Sequence, residues 1–265
     1  MDIKELRKQP HLSASGVNAY VECGLQYKFS RVDHLIPEFR TDVLEFGSCI
    51  HKALADFNQE RMQGKTPGIK DLEESFEEHW NCIGENVQYA KGRSFEDMLE
   101  EGKDLLQASY GHLIEDPFQI IAIEEPFVFQ MDGLPVPLIG VMDLVCEDAD
   151  GTIIIIDYKT TSRAYSGREA NGNFQLTVYH MAAKANGYAG REILLRLDCL
   201  VKTRTPKFEQ HYTTRTRKDE SRVLRKIQTV WQGIQAGIFV PNDASWKCNN
   251  CAYKQACNQW LEGGE

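Results

Sequence analysis

The segment IIIIDYKTT, residues 153–161, runs from four isoleucines into an aspartate and then, two residues on, a lysine. Asp143 lies seven residues before Asp150 of the Asp150-Gly151 turn signal, and Asp157 lies seven after it. An antiparallel hairpin centred there sets the two carboxylates almost opposite each other, with Cβ atoms about 5 Å apart. Carboxylates that close repel unless a proton or a cation lies between them. A divalent cation is the economical solution, because Mg2+ takes one or two carboxylates together with water and phosphate oxygens. Residues i and i+2 of a strand share a face, so Lys159 projects beside the pair. There its ammonium can hold or deprotonate a water, or stabilise charge developing on phosphorus. The alternative is a structural Asp–Lys ion pair at a strand end.

Other residues join this set by spacing. In NFQLTVYHMAA, Gln175 and Tyr179 stand at i and i+4 and so share a helix face. In FGSCIHKAL, His51 follows Gly47 by one helical turn. Ser162, Arg163 and Arg168 fall in the loop after the lysine. The tail reads CNNCAYKQAC, a C-x2-C-x5-C triplet of Cys248, Cys251 and Cys257 that is one ligand short of a four-thiolate site. Cys23 is available at the far end of the chain. Four thiolates permit tetrahedral zinc as well as an iron–sulfur cluster. The remaining Cys49, Cys82, Cys146 and Cys199 read as small buried hydrophobes.

The elements that must carry these residues follow from periodicity and turn signals. Helices are expected over 12–29, with Ser13 or Ser15 as N-cap, and over 45–62, where Phe46, Ile50, Leu54 and Phe57 recur at helical spacing. Glu-rich amphipathic helices are expected over 71–90 and 94–115. Strands over 118–130 and 136–147 flank the Asp132-Gly133 turn, and the unbroken isoleucine run predicts a strand buried on both faces. A helix over 172–187, strands over 192–201 and 207–213, a basic helix over 216–237 and an irregular tail from 241 complete the order. That order is α/β with a mixed sheet. One domain of residues 1–265 is expected, with 65–115 as a helical insertion and 241–265 as a cysteine-stapled tail.

No apolar run approaches the ~20 residues needed to span a bilayer, and MDIKELRKQP has no apolar leader core. A cytoplasmic protein with reduced thiols and no membrane partner is the expectation. The net charge is −9, yet residues 201–226 hold nine Lys and Arg against three acids, a local +6 that leaves −15 on the remainder. Such a basic segment on an acidic chain suits a nucleic-acid contact or simply a solvated surface.

GVMD at 140–143, IIDYKT at 155–160, Gln175-x-x-x-Tyr179 and Gly47-x-x-x-His51 together resemble the PD-(D/E)XK nuclease superfamily, and its RecB-type branch in particular. LSASGVNAYVECGLQYKF, residues 12–29, resembles that branch's N-terminal motif, except that Gly24 stands after the cysteine where proline is usual. The resemblance covers residues 12–60 and 120–257. It implies a restriction-endonuclease-like core, a central mixed sheet flanked by helices, with a helical N-terminal part. It implies that His51, Asp143, Asp157 and the Tyr158 carbonyl ligate Mg2+ or Mn2+, with Glu124 or Glu125 on the preceding strand as an outer-shell carboxylate, that Lys159 is the catalytic lysine, and that Gln175 and Tyr179 position DNA or the lysine. Cys23, Cys248, Cys251 and Cys257 would hold a [4Fe–4S] cluster, as in the AddB and CRISPR-adaptation nucleases, with zinc as the lesser alternative. Lys202, Arg204, Lys207, Arg215 and Arg217 would contact DNA phosphates. The implied activity is metal-dependent DNA hydrolysis, foremost exonuclease action on ends in recombination, repair, phage or CRISPR-related DNA metabolism. No G-x-x-x-x-G-K-[ST] motif is present, so a helicase or other partner protein would be separate. The rival readings are a DNA-binding scaffold whose nuclease site is vestigial and an RNA-directed nuclease.

Overall fold

A computed structural model describes residues 3–263. A short helix α1 (Ile3–Leu6) precedes α2 (Ala14–Glu22) and α3 (Gly24–Tyr27). A two-residue strand β1 (Arg40–Thr41) leads into the long helix α4 (Asp42–Met62), followed by α5 (Ile69–Asn81), the short β2 (Val87–Gln88) and α6 (Phe95–Ile114). The main sheet begins with β3 (Gln119–Phe129), β4 (Leu138–Glu147) and β5 (Ile153–Thr161). Helices α7 (Gly167–Asn171) and α8 (Phe174–Ala183) cross over to β6 (Ile193–Val201) and β7 (Lys207–Thr213). Helix α9 (Arg217–Gln235), a 3-10 turn over Trp246–Asn250 and α10 (Lys254–Leu261) close the chain.

The five main strands lie in the order β3-β4-β5-β6-β7. Only β5 and β6 run parallel; every other pair is antiparallel. The parallel step is the one whose connection carries helices, as a crossover requires. The sheet is therefore mixed and flanked by helices on both faces, the restriction-endonuclease-like architecture.

Strand β5 is the centre of the molecule. Ile153 and Ile155 enter one core with α2, α8 and α9, while Ile154 and Ile156 enter a second core with α4, α5 and α6. All four are fully buried, which is why this strand carries no polar alternation. Helix α4 reaches the second core through Phe46, Ile50, Leu54 and Phe57. Its start is held by Thr41, whose Oγ1 accepts from the Leu44 N–H at 3.4 Å. The buried Asp42 carboxylate also ties down the loop before α6, accepting from the Ala90 N–H at 2.9 Å.

Five expectations need correction. The helix expected over 12–29 is broken at Cys23, whose backbone is extended. The reason lies at Gly24: a Cβ there would meet the Val240 N at 2.9 Å and the Phe239 Cα at 3.1 Å. The tail's backbone packs against a bare Cα, and a side chain would push it away. The helix expected to reach residue 90 stops at Asn81, and Cys82 caps it, exposed rather than buried. Cys49, Cys146 and Cys199 are buried, and burial pushes their thiols up to about 11, about 12 and about 12. The basic helix begins one residue later than expected, after Thr216, and the additional short helix α7 precedes α8. Among the described residues no helix is long and apolar enough to cross a membrane.

Candidate active site

The β4–β5 ladder pairs Leu144 with Ile156 through Glu147 with Ile153. That is the register centred on Asp150, and it ends one step short of Asp143 and Asp157. At Asp143 the alternation of β4 breaks: Met142 and Val145 join one core while Leu144 joins the other. In place of a ladder bond, the Tyr158 N–H donates to Asp143 Oδ2 at 2.9 Å. The side chain is thus drawn into the gap between the two strands.

Across the other edge of β4, Ile123 pairs with Leu144 and Glu125 with Met142, which sets Glu124 opposite Asp143. Glu124 has φ +47°, one of two non-glycine residues with positive φ among the described residues. Left-handed backbone costs an L-residue about 1–2 kcal/mol, and such strain collects at working sites. His51 arrives from α4 with Nδ1 3.3 Å from Asp143 Oδ2. One ligand atom each from His51, Glu124 and Asp143 lie within 4.8 Å of one another. An imidazole and two carboxylates form an oxygen-rich donor set suited to Mg2+ or Mn2+.

Asp157 is fully buried, and Lys159 Nζ sits 2.7 Å from its Oδ2 and 2.9 Å from its Oδ1. Burial, outweighing the pull of Lys159, pushes the Asp157 carboxyl up to about 6. Burial alone would lower the Lys159 ammonium, but Asp157 and Asp143 raise it above its ordinary value, so it stays charged at neutral pH. Burial pulls the His51 imidazole down, yet the hydrogen bond and charge of Asp143 prevail and the net shift is upward. Desolvation first and Asp143 second hold the Glu124 carboxyl above its usual range.

Gln175 Nε2 donates to Tyr179 Oη at 2.6 Å. Burial and then the charges of Asp157 and Asp143 hold the Tyr179 phenol well above its usual range. Tyr179 therefore remains a neutral phenol within the field of the two carboxylates. The Tyr158 side chain turns the other way, into the second core, where its hydroxyl accepts from Asn58 Nδ2 at 3.0 Å. Tyr165, which the sequence did not single out, stands beside Lys159.

The cysteines also converge. Cys23, Cys248, Cys251 and Cys257 line one cavity of about 210 Å3. The Cys251 and Cys257 thiols are raised, by burial first and then by the neighbouring sulfurs. Asn242 anchors the tail to Glu22, donating to its backbone oxygen at 2.8 Å.

The basic segment does not form one face, which corrects the expectation for 201–226. Arg215 is buried, and its five donors serve Thr177 Oγ1, Thr213 Oγ1 and the carbonyls of Thr214, Ala170 and Asn173. It has no donor left for a phosphate. Lys202 folds over the Phe46 ring, 5.0 Å from its centroid. Arg204 and Lys207 are exposed at the sheet end that carries Lys159, since Thr161 pairs with Val201 and Val201 with Lys207. Arg217 is exposed beyond the opposite end of β7, about 20 Å away by the rise of a seven-residue strand.

The family model of the PD-(D/E)XK nuclease superfamily matches residues 11–258. The Gene 69 protein of Mycobacterium phage D29 is 24% identical over 274 residues, covering 94% of this chain and 97% of that protein. A crystal structure from Eubacterium rectale, named "Putative exonuclease", superposes with a TM-score of 0.57 at 11% identity, covering 94% of this chain and 90% of that one. At that identity the likeness speaks for the fold alone. The two adjacent strands that carry Asp143 and Asp157-Tyr158-Lys159, the crossover to Gln175 and Tyr179, and a family match across nearly the whole length agree: this chain belongs to the PD-(D/E)XK nuclease superfamily.

Proposed function

We propose that this nuclease is a Mg2+- or Mn2+-dependent deoxyribonuclease that removes nucleotides from DNA ends. The observation that carries the reading is the convergence of His51, Glu124 and Asp143 on one point beside the Asp157–Lys159 pair. Asp143, Asp157 and His51 would hold the metal together with the Tyr158 carbonyl, with Glu124 as a further carboxylate. The metal supplies Lewis-acid activation of the phosphate and lowers the pKa of an attacking water. Lys159, charged at neutral pH, acts as an electrostatic partner for developing negative charge rather than as a base. Gln175 fixes Tyr179, which keeps the buried side of the carboxylates neutral and dry. Arg204 and Lys207 remain as candidate phosphate contacts near the site. The exonuclease part draws on the name borne by the Eubacterium rectale neighbour. We take the chain as one domain, with 65–115 as a helical elaboration, working in the cytoplasm alone or with a recombination, helicase or CRISPR-adaptation partner. Labelled single- and double-stranded DNA, with Mg2+ or Mn2+ against EDTA, tests the reading. Cleavage of neither form would leave the scaffold alternative.

Four thiolates accept tetrahedral zinc or an iron–sulfur core alike. We propose that Cys23, Cys248, Cys251 and Cys257, which line one cavity, hold a [4Fe–4S] cluster with a structural role; the preference over zinc rests on the resemblance to the iron–sulfur nucleases of this superfamily.

Two outcomes follow from the electrostatics. Asp157, pushed up to about 6, takes up a proton as the pH falls through about 6, and His51, shifted upward from its ordinary value, takes one up earlier in the same descent. A protonated carboxyl or imidazolium donates no lone pair to a metal. Cleavage at limiting Mn2+ should therefore fall as pH drops through about 6, and excess metal should move this acid limb downward. A pH–rate series at two metal concentrations checks both. Glu124→Gln should weaken metal affinity about 10- to 100-fold, as loss of a supporting carboxylate does. Glu124→Gly should weaken it equally but raise unfolding free energy by about 1 kcal/mol, because glycine accepts the +47° backbone freely. Urea denaturation beside metal titration separates the two effects.

A further inference from the structure

A groove of about 1040 Å3 joins the metal-ligand residues to the cysteine tail: His51, Glu124 and Asp143 line it together with Trp246, Cys248 and Cys251. Trp246, two residues before Cys248, is 80% exposed. An indole so exposed gives up the burial that normally recruits tryptophan into a core. It is not at a random surface point but on the wall of the cavity that contains the candidate metal ligands. Val43 and Leu44 at the start of α4, 57% and 66% exposed, line the same groove. Its lining thus combines apolar and aromatic side chains with ionic ones, Glu22 and Asp56 among them. Lys52 and Lys247 supply cations along it, and Lys247 is held only by an exposed pair with Glu22 at 2.9 Å, which a phosphate can replace at little cost.

Walls of this kind match a strand whose bases are unpaired. Bases within a duplex are stacked on one another and offer no free face, whereas each base of a single strand presents a π-face. Stacking such a base on an aromatic side chain contributes about 1–3 kcal/mol and tolerates any sequence. We propose that Trp246 is a substrate-positioning residue that stacks an unpaired base of single-stranded DNA, so that the strand reaches the cleavage centre through the groove between α4 and the cysteine tail. The proposal rests on the nuclease reading above. It also gives the tail a task, because the sulfur staple two residues away fixes where the indole stands.

Binding is the test, since it does not depend on cleavage. Oligo(dT) and a blunt duplex are titrated against the intact, anaerobically prepared protein in Ca2+. Wild type should bind oligo(dT) with quenching of tryptophan emission. Trp246→Ala should bind it about tenfold more weakly, with duplex affinity and the absorbance near ~400 nm unchanged. Trp246→Phe should retain most of the affinity while losing the quench. In cleavage assays the alanine variant should show a raised KM with little change in kcat. Equal oligo(dT) affinity in wild type and Trp246→Ala, or an equal loss for both DNA forms, overturns the proposal. Either result leaves the nuclease reading standing if wild type still cuts DNA. Wild type that binds and cuts neither form removes both.

Discussion

Asp157→Asn is expected to slow DNA cleavage by about 10³-fold or more while leaving the melting temperature unchanged or higher. Its carboxylate is fully buried midway along β5, where water cannot replace what the side chain does. A bound divalent metal contributes several kcal/mol of transition-state stabilisation, and each 1.36 kcal/mol is tenfold in rate. The amide keeps the shape and loses the charge that would hold the metal and pair with Lys159. The stability side has the opposite sign. Burial pushes the Asp157 carboxyl up to about 6, so at neutral pH the folded chain holds an anion that the unfolded chain would solvate better. By linkage, the contribution of such a group is fully present below its unfolded value and is lost as pH rises through the folded one. An uncharged amide removes that cost, and Lys159, part-exposed at 28%, can take water instead. Single-turnover cleavage with saturating Mn2+ and a thermal melt of the same preparation check both halves. A substantial fall in melting temperature with activity retained would mean that Asp157 is a structural ion-pair member.

Cys251→Ser should have the largest effect on stability: a colourless protein, without absorbance near ~400 nm, whose melting temperature falls by about 10 °C. The proposed staple would close a loop of 225 residues, from Cys23 to Cys248 (248 − 23). A cross-link over a loop that long restricts the unfolded chain by about 5 kcal/mol in the chain-entropy account. For a protein of this size each kcal/mol moves the melting temperature about 2–4 °C. Contacts that hold the tail without the staple offset part of this, among them Tyr20 Oη donating to the Ile238 carbonyl at 2.5 Å and the Glu38 N–H donating to the Ala252 carbonyl at 2.8 Å. Iron and sulfide analysis distinguishes the cluster from zinc. A colourless wild type with one zinc per chain would overturn the cluster assignment while leaving the staple in place.

Much of the active corner was legible because it is local. Period-2 and turn signals set the β4–β5 register around Asp150, and helical spacing joined Gln175 to Tyr179. These relations span few residues and depend on backbone geometry alone. Glu124 was the harder case. Its only mark was a pair of acids in an apolar strand, and nothing in the one-dimensional pattern says which of Glu124 and Glu125 faces Asp143. The bulge at Ile121 and the positive φ decide it. Charge counting misled at Arg215 and Lys202, because a count does not distinguish a cation that solvates itself from one whose donors are consumed by carbonyls or whose ammonium covers a ring. Trp246 gave no signal at all, since exposure is a property of the folded surface.

The sequence by itself determined the strand order's raw material, the acid–lysine strand and the cysteine count, because each follows from chemistry within a few bonds. Only the tertiary structure decided that β4 opens at Asp143, that Gly24 admits the returning tail, and that the tail and α4 enclose one groove. The last two depend on segments about two hundred residues apart meeting, and the first on a side chain taking the place of a ladder bond across a hairpin; no local period encodes either.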